Sequence, residues 1–202
     1  MTGYGFEEVI APNHYYDRHF GIEAAKILPG EYYATGRDMM LVTVLGSCVS
    51  TCIRDPATGI GGMNHFMLPE GDHRNPLSVA ARYGGYAMEM LVNQLLKLGA
   101  ARHRLEAKAF GGGEVMRGFS LNNLGERNSQ FVLDYLDREN IRLVAQDILD
   151  FDPRKIYYFP ATGRVLVKKL KHAHNNTIIQ REEEYGSRLK ASDMSGDIEL
   201  FT

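Results

Sequence analysis

The chain has 202 residues, 44% of them hydrophobic, which is enough to bury one full core and short for two. Its formal net charge of -2, with no dense block of Lys or Arg, excludes a dedicated nucleic-acid binder, because neutralising phosphates needs clustered cations. No apolar run reaches the roughly 18 residues a spanning helix needs, and the first residues lack a basic stretch leading into an apolar one, so neither a membrane span nor a signal peptide is expected and a cytoplasmic address follows.

Residues 1–29 mix Tyr15, Tyr16 and Phe20 with His14, His19 and charged residues without sustained periodicity; they read as an extension on the domain edge or as a poorly ordered tail. Glu31 to Thr35 and Asp38 to Leu45 favour strands. The second is apolar on both faces, through Met39, Met40, Leu41, Val42 and Val44, as a central buried strand requires. Gly46-Ser47 then makes a tight corner, residues 49–53 start a strand or a short helical turn, and residues 60–68 continue the sheet. Between them, Asp55-Pro56-Ala57-Thr58-Gly59 has the chemistry of a turn, so the flanking segments are expected to pair.

After a polar loop at 70–76, a helical pattern runs from Ser78 to about Leu98, with Met88, Leu91, Leu95 and Leu98 on one stripe and Gly99 as its stop. Gly84-Gly85 inside it costs about 1 kcal/mol per glycine relative to Ala, which implies close packing against a strand, or a kink. Leu105 to Phe110 reads as a strand entering Gly111-Gly112-Gly113. That triplet lacks the Lys-Ser/Thr ending of a phosphate loop and reads better as a tight turn beside the site. Asn123 to Asn140 reads as a second helix with Phe131, Val132, Tyr135 and Leu136 buried and Asn140 as a left-handed cap. Ile141 to Leu149 is a strand, and 155–159 with 164–170 form a hairpin around Pro160 to Gly163. From 172 to 202 the chain turns polar, with Glu182-Glu183-Glu184 and few core candidates, and is expected to be a peripheral tail. Strands interleaved with two helices indicate a layered α/β arrangement with a mixed sheet.

The candidate chemistry sits at the corner. Cys48 follows Gly46-Ser47, and His65 lies on the far side of the 55–59 turn, so pairing of the two segments folds it back toward the cysteine. Cysteine attacks carbonyl carbon as a thiolate and needs a group that takes its proton near neutral pH, a task suited to histidine. The N–H groups of Ser47 and Cys48 are candidates for an oxyanion hole, and the Thr43 hydroxyl or carbonyl for holding the ring N–H of His65. Taken singly, Cys48 reads as readily as a small buried hydrophobe, and His65 as a structural histidine in an apolar run. Cys52 reads as a core thiol. On a strand Cys48 and Cys52 stand about 13 Å apart, beyond the roughly 7 Å reach of a disulfide, and the same geometry defeats a zinc site with His65. His172 and His174 lack further ligands at metal spacing, Ser50 and Asn64 are either site contacts or ordinary strand residues, and Arg127 and Asn128 are expected to cap or brace the second helix beside the glycine triplet.

The ordered set Thr43, Leu45-Gly46-Ser47-Cys48-Val49, Asp55-Pro56, Gly62 to Pro69, Arg82-Tyr83-Gly84, Phe110-Gly111-Gly112, Gly125 to Asn128 and Thr162 to Val165 resembles the CheD family of bacterial chemotaxis proteins, which deamidate glutamines on chemoreceptors. The resemblance implies a CheD-like deamidase domain over 30–171, built as an α-β-β sandwich with mixed sheets and two main helices outside, of the cysteine-hydrolase type. It implies Cys48 as nucleophile, His65 as general base and acid, Thr43 as the orienting residue, no metal or organic cofactor, and methyl-accepting chemoreceptor cytoplasmic domains as partners, with a CheC-type phosphatase as a further one. A glutamine presented by a helix bundle requires a shallow groove beside Cys48 that admits one side chain. A transglutaminase or cysteine protease uses the same residue pair, and an adaptor that binds receptors without turnover is the alternative from another class.

Overall fold

The structure, a computed structural model, describes residues 9–68, 76–114, 123–170 and 175–193. Two mixed sheets form its centre. One has the order β1 (Val9–Ile10), β4 (Glu31–Thr35), β7 (Gly61–His65), β6 (Val49–Arg54), β8 (Glu106–Gly111), β9 (Arg142–Ile148). The other has the order β11 (Arg164–Lys169), β10 (Arg154–Phe159), β5 (Met40–Leu45), β3 (Ile22–Lys26), β2 (Asn13–Asp17). The pairs β1/β4, β8/β9 and β3/β5 are parallel and the rest antiparallel. Helix α1 (Pro76–Lys97) lies over β4 and β7, helix α2 (Leu124–Arg138) over β6, β8 and β9, and β5 meets β7 between the sheets. The layers therefore run helix, sheet, sheet, as an α-β-β sandwich.

The periodicities explain the layers. Met88, Leu91 and Leu95 on α1 and Val132 and Leu136 on α2 are buried against Cys52, Ile53 and Met63 of the first sheet, while Leu41 and Leu45 of β5 reach the same core. Each such aliphatic side chain contributes about 1.5–3 kcal/mol. Gly62 lets α1 approach β7, since a Cβ there would stand 2.7 Å from Leu91 Cδ1. The stripe ends at Leu95; Leu98 lies past the helix and is 41% exposed. Gly84 is the close contact expected, although its neighbours are Phe131 of α2, 2.5 Å from a built Cβ, and Leu68 rather than a strand. Gly85 faces open space.

Three expectations differ from the structure. Residues 49–53 and 60–68 do not continue the sheet of β5; the chain crosses between sheets at Gly46–Cys48, because both edges of β5 are taken, one by β10 and the other by β3. Residues 9–29, read as an extension, carry β1, β2 and β3, and bury Ala24, Ala25 and Ile27. Within the segment read as a peripheral tail, helix α3 (Asn175–Asp193) buries Glu182, Tyr185 and Leu189. His172, His174 and the loop at 70–75 lie outside the described residues.

Asp55 pins the turn between β6 and β7. Its buried carboxylate accepts from Ala57 N at 3.0 Å, Ala101 N at 2.9 Å and Arg104 Nη2 at 2.6 Å. The Arg104 guanidinium, with the two main-chain donors, holds the Asp55 carboxyl well below the usual carboxylate range against the effect of burial. The folded state therefore binds this proton less readily than the unfolded chain does. Its stabilisation is present above about pH 4 and is lost as the pH falls further. Asp55→Asn is expected to lower unfolding free energy by about 3 kcal/mol at pH 7, read by urea denaturation.

Candidate functional site

The Gly46-Ser47-Cys48 corner is braced from one side. Gly113 N donates to Gly46 O at 2.7 Å, Asn128 Nδ2 to Ser47 O at 2.8 Å and Gly112 N to Cys48 O at 2.8 Å. With all three carbonyls engaged there, the N–H groups of the same residues face the opposite side. Gly111 has φ 105°, and a Cβ on it would stand 2.2 Å from Cys48 O, so a side chain at this point would drive the corner apart. The glycine triplet thus serves as the brace of the corner. Asn128 does more than support its helix: its Oδ1 also accepts from Leu68 N at 2.8 Å, joining α2 to the corner before β6 and to the segment after β7.

The strands β6 and β7 pair from Cys52 with Met63 to Arg54 with Gly61, and Val49 and Phe66 exchange main-chain bonds of 2.9 and 3.0 Å. That ladder carries His65 next to Cys48. From the other sheet, Thr43 Oγ1 donates to Ile27 O at 2.8 Å and stands 2.8 Å from His65 Nδ1. Its proton being committed to Ile27, the hydroxyl accepts from Nδ1–H, which leaves the lone pair on Nε2. His65 Nε2 is buried with no hydrogen-bond partner among the described residues.

A third group, from the segment expected to be a peripheral tail, completes the cluster. Glu182 of α3 places its carboxylate on the N–H side of the corner: Oε1 accepts from Gly46 N at 2.9 Å and Cys48 N at 3.1 Å, and Oε2 from Ser47 N at 2.9 Å and Ser47 Oγ at 2.7 Å. Cys48 Sγ, a His65 ring nitrogen and a Glu182 oxygen lie within 4.8 Å of one another. Contrary to the open corner expected, Cys48 is 0% exposed and His65 2%. Burial, followed by the Glu182 charge, pushes the Cys48 thiol well above its ordinary range. Burial pushes His65 down to about 4, against an opposing pull from Glu182. The pair as closed is a thiol facing a neutral imidazole. One sequence signal for Glu182 existed: Ile178, Glu182, Tyr185 and Leu189 are spaced four, three and four apart, an apolar helical stripe with one acid inside it.

The arrangement offers a sulfur nucleophile, a proton acceptor beside it and N–H donors that can hold a negative oxygen. The family described as CheD chemotactic sensory transduction matches residues 67–169. A protein of Thiobacillus denitrificans named probable chemoreceptor glutamine deamidase CheD is 63% identical over 96% of this chain and 98% of its own. The chain belongs to the CheD family. A relative of the same name from Methylobacillus flagellatus is 64% identical over 96% of this chain and 98% of its own, and one from Shewanella oneidensis, named with the suffix 1, is 57% identical over 94% and 93%. Among solved structures, the Bacillus licheniformis hypothetical protein YfiH is similar at a TM-score of 0.42 and 13% identity, over 70% of this chain and 63% of that one.

Several side chains around the CheD corner have structural duties. Asn64 Oδ1 accepts from Thr51 N at 2.9 Å and its Nδ2 donates to Ala87 O at 3.3 Å, tying both site strands to α1. Ser50 is buried, and its Oγ has no partner among the described residues. Cys52, a free thiol held high by burial, is not in the Cys48, His65, Glu182 group. That group has the ligand types a soft divalent ion takes, yet four N–H and O–H donors already satisfy the carboxylate. Among the described residues no helix is long and apolar enough to cross a membrane.

Proposed function

We propose that this CheD-family chain hydrolyses the side-chain amide of glutamines on the cytoplasmic helices of chemoreceptors, giving glutamate and ammonia, with residues 30–171 as the core of the deamidase unit. The observation that carries the reading is the convergence of the Cys48 thiol, the free Nε2 of His65 and three corner N–H groups on one point. His65 Nε2 takes the Cys48 proton, and the thiolate attacks the carboxamide carbon. The N–H groups of Ser47 and Cys48, joined by Gly46, hold the oxyanion, an effect often worth about 3 kcal/mol per donor. The imidazolium returns its proton to the departing ammonia, leaving a γ-glutamyl thioester. Water, losing a proton to His65, then cleaves the thioester to glutamate and frees the thiol. Thr43 acts through His65, holding Nδ1–H so that Nε2 stays available.

Each step uses only these side chains, main-chain donors and water. The setting is the cytoplasm, where receptor helices and a CheC-type phosphatase are available as partners. Incubation of the protein with a receptor cytoplasmic fragment is expected to raise the mass of single glutamine peptides by about 1 Da, with neither cleavage nor crosslinks. Crosslinked or cleaved products would instead assign the thioester to a transglutaminase or protease, and an unchanged fragment would leave receptor binding alone.

A further inference from the structure

We propose that α3 is a built-in stand-in for the product side chain: the Glu182 carboxylate fills the subsite of the substrate's terminal amide, and a receptor helix docks along the surface that α3 covers. The inference rests on the deamidase reading and adds where the substrate helix lies and what holds the site closed. Glutamate is what the reaction leaves behind, and Glu182 lies on the three N–H groups as that product would. A buried carboxylate ordinarily needs a cation. The hydrogen-bond partners of Glu182 are neutral donors of the corner, which satisfy it by geometry built for a negative oxygen.

The seat is shaped for a helix. Gly46 has no side chain to bar the approach, since a Cβ there would stand 2.9 Å from both carboxylate oxygens. On either side of Glu182 the stripe of α3 finds its own places. Tyr185 lies on Gly30, where a Cβ would come within 3.0 Å of its ring, and its hydroxyl hydrogen-bonds that of Tyr83; Gly186 stands over Met67. Leu189 is buried and Ile178 half-buried, while Arg181, Glu183, Glu184, Ser187 and Arg188 face solvent. A receptor helix with glutamine in place of this acid, inside a similar stripe, meets the same surface. Beside α3 a cleft walled by Lys26, Leu28, Pro29 and Val44 against Ile178 and Arg181 has His65 and Glu182 at its floor, so the helix edge already marks the route inward.

Departure of α3 also removes the negative charge nearest the thiol and lets water in, both of which favour the thiolate. Because the plug competes with substrate within one chain, it reduces apparent affinity in proportion to the open fraction.

Three measurements on the full chain test this. In Glu182→Ala the corner N–H groups lose the carboxylate that holds α3 in place, so alkylation of Cys48 by iodoacetamide is expected to quicken by at least about tenfold, with Cys52 unchanged as the internal reference, and KM for the receptor fragment to fall with kcat held. In the wild-type protein, saturating receptor fragment is expected to speed hydrogen exchange across residues 177–189 while α2 stays protected. A fragment that is deamidated while α3 keeps its protection overturns the inference and leaves the deamidase reading standing. Release of α3 by a fragment whose mass never changes supports the shared seat and overturns the deamidase reading. An alkylation rate and KM unaltered in Glu182→Ala overturn the plug.

Discussion

Replacing Cys48 with alanine is expected to lower ammonia release from a receptor cytoplasmic fragment by at least about 10⁴-fold, with fragment affinity within about twofold of wild type. The size follows from what the thiol does in the proposed reaction. Without it no thioester forms, and the corner N–H groups and His65 can only assist direct attack by water, which needs a molecule positioned where the sulfur was. Loss of one small, fully buried side chain leaves the corner's outer bracing untouched, because Gly112, Gly113 and Asn128 hold main-chain carbonyls. The expected outcome is thus an inactive protein that still binds. A Cys48→Ala protein that releases ammonia at the wild-type rate, or that affects receptors as wild type does, would favour the adaptor.

The second large effect belongs to His65. His65→Ala is expected to reduce kcat by about 10³–10⁴-fold, since both thiol deprotonation and protonation of the leaving ammonia lose their agent. Thr43→Val, which keeps the shape and removes the hydroxyl, is expected to cost about 10–100-fold, because Nδ1–H then loses its acceptor and the ring is free to take the wrong tautomer. A pH series separates these from mere unfolding. His65 is buried neutral with its pKa pushed down to about 4, so below about 6.5 the unfolded chain takes up this proton and the folded one does not. Stability contributed at neutral pH is lost as the pH falls through that window, by roughly 3 kcal/mol at its foot. His65→Ala is expected to lack that part of the slope between pH 6.5 and pH 4 in urea titrations, whereas Thr43→Val retains it. Equal slopes in wild type and His65→Ala would show that the imidazole is not held neutral in the folded state.

Much of this geometry was legible in local sequence. The 55–59 turn has Asp, Pro and Gly where a tight connection needs them, and it alone pairs β6 with β7 and so draws His65 toward Cys48. The stripes of α1 and α2 show which faces are buried, and Asn140 adopts the left-handed conformation expected of it, with φ 52°. These features are written within a few residues of one another, where turn chemistry and helical spacing act. Leu98 is the instructive exception, since its spacing continues a stripe whose helix has already ended.

The contacts that close and brace the corner come from far along the chain. Asn128 reaches Ser47 across 81 positions and Glu182 reaches Cys48 across 134, and nothing in either neighbourhood names its partner. Asn128 looks like any polar helix residue until its two-sided amide is seen to match one carbonyl and one N–H. Glu182 sits in a triplet of acids that reads as solvated tail; the stripe of α3 sets it apart from Glu183 and Glu184, but only the seat formed by Gly30, Gly46, Met67 and Tyr83 shows what it meets. Local preferences thus specify strands, turns, helices and the meeting of sulfur with imidazole. Which distant donors and acids complete the corner is decided by burial, because a side chain's polar partners are selected only once the sheets have packed and water has left.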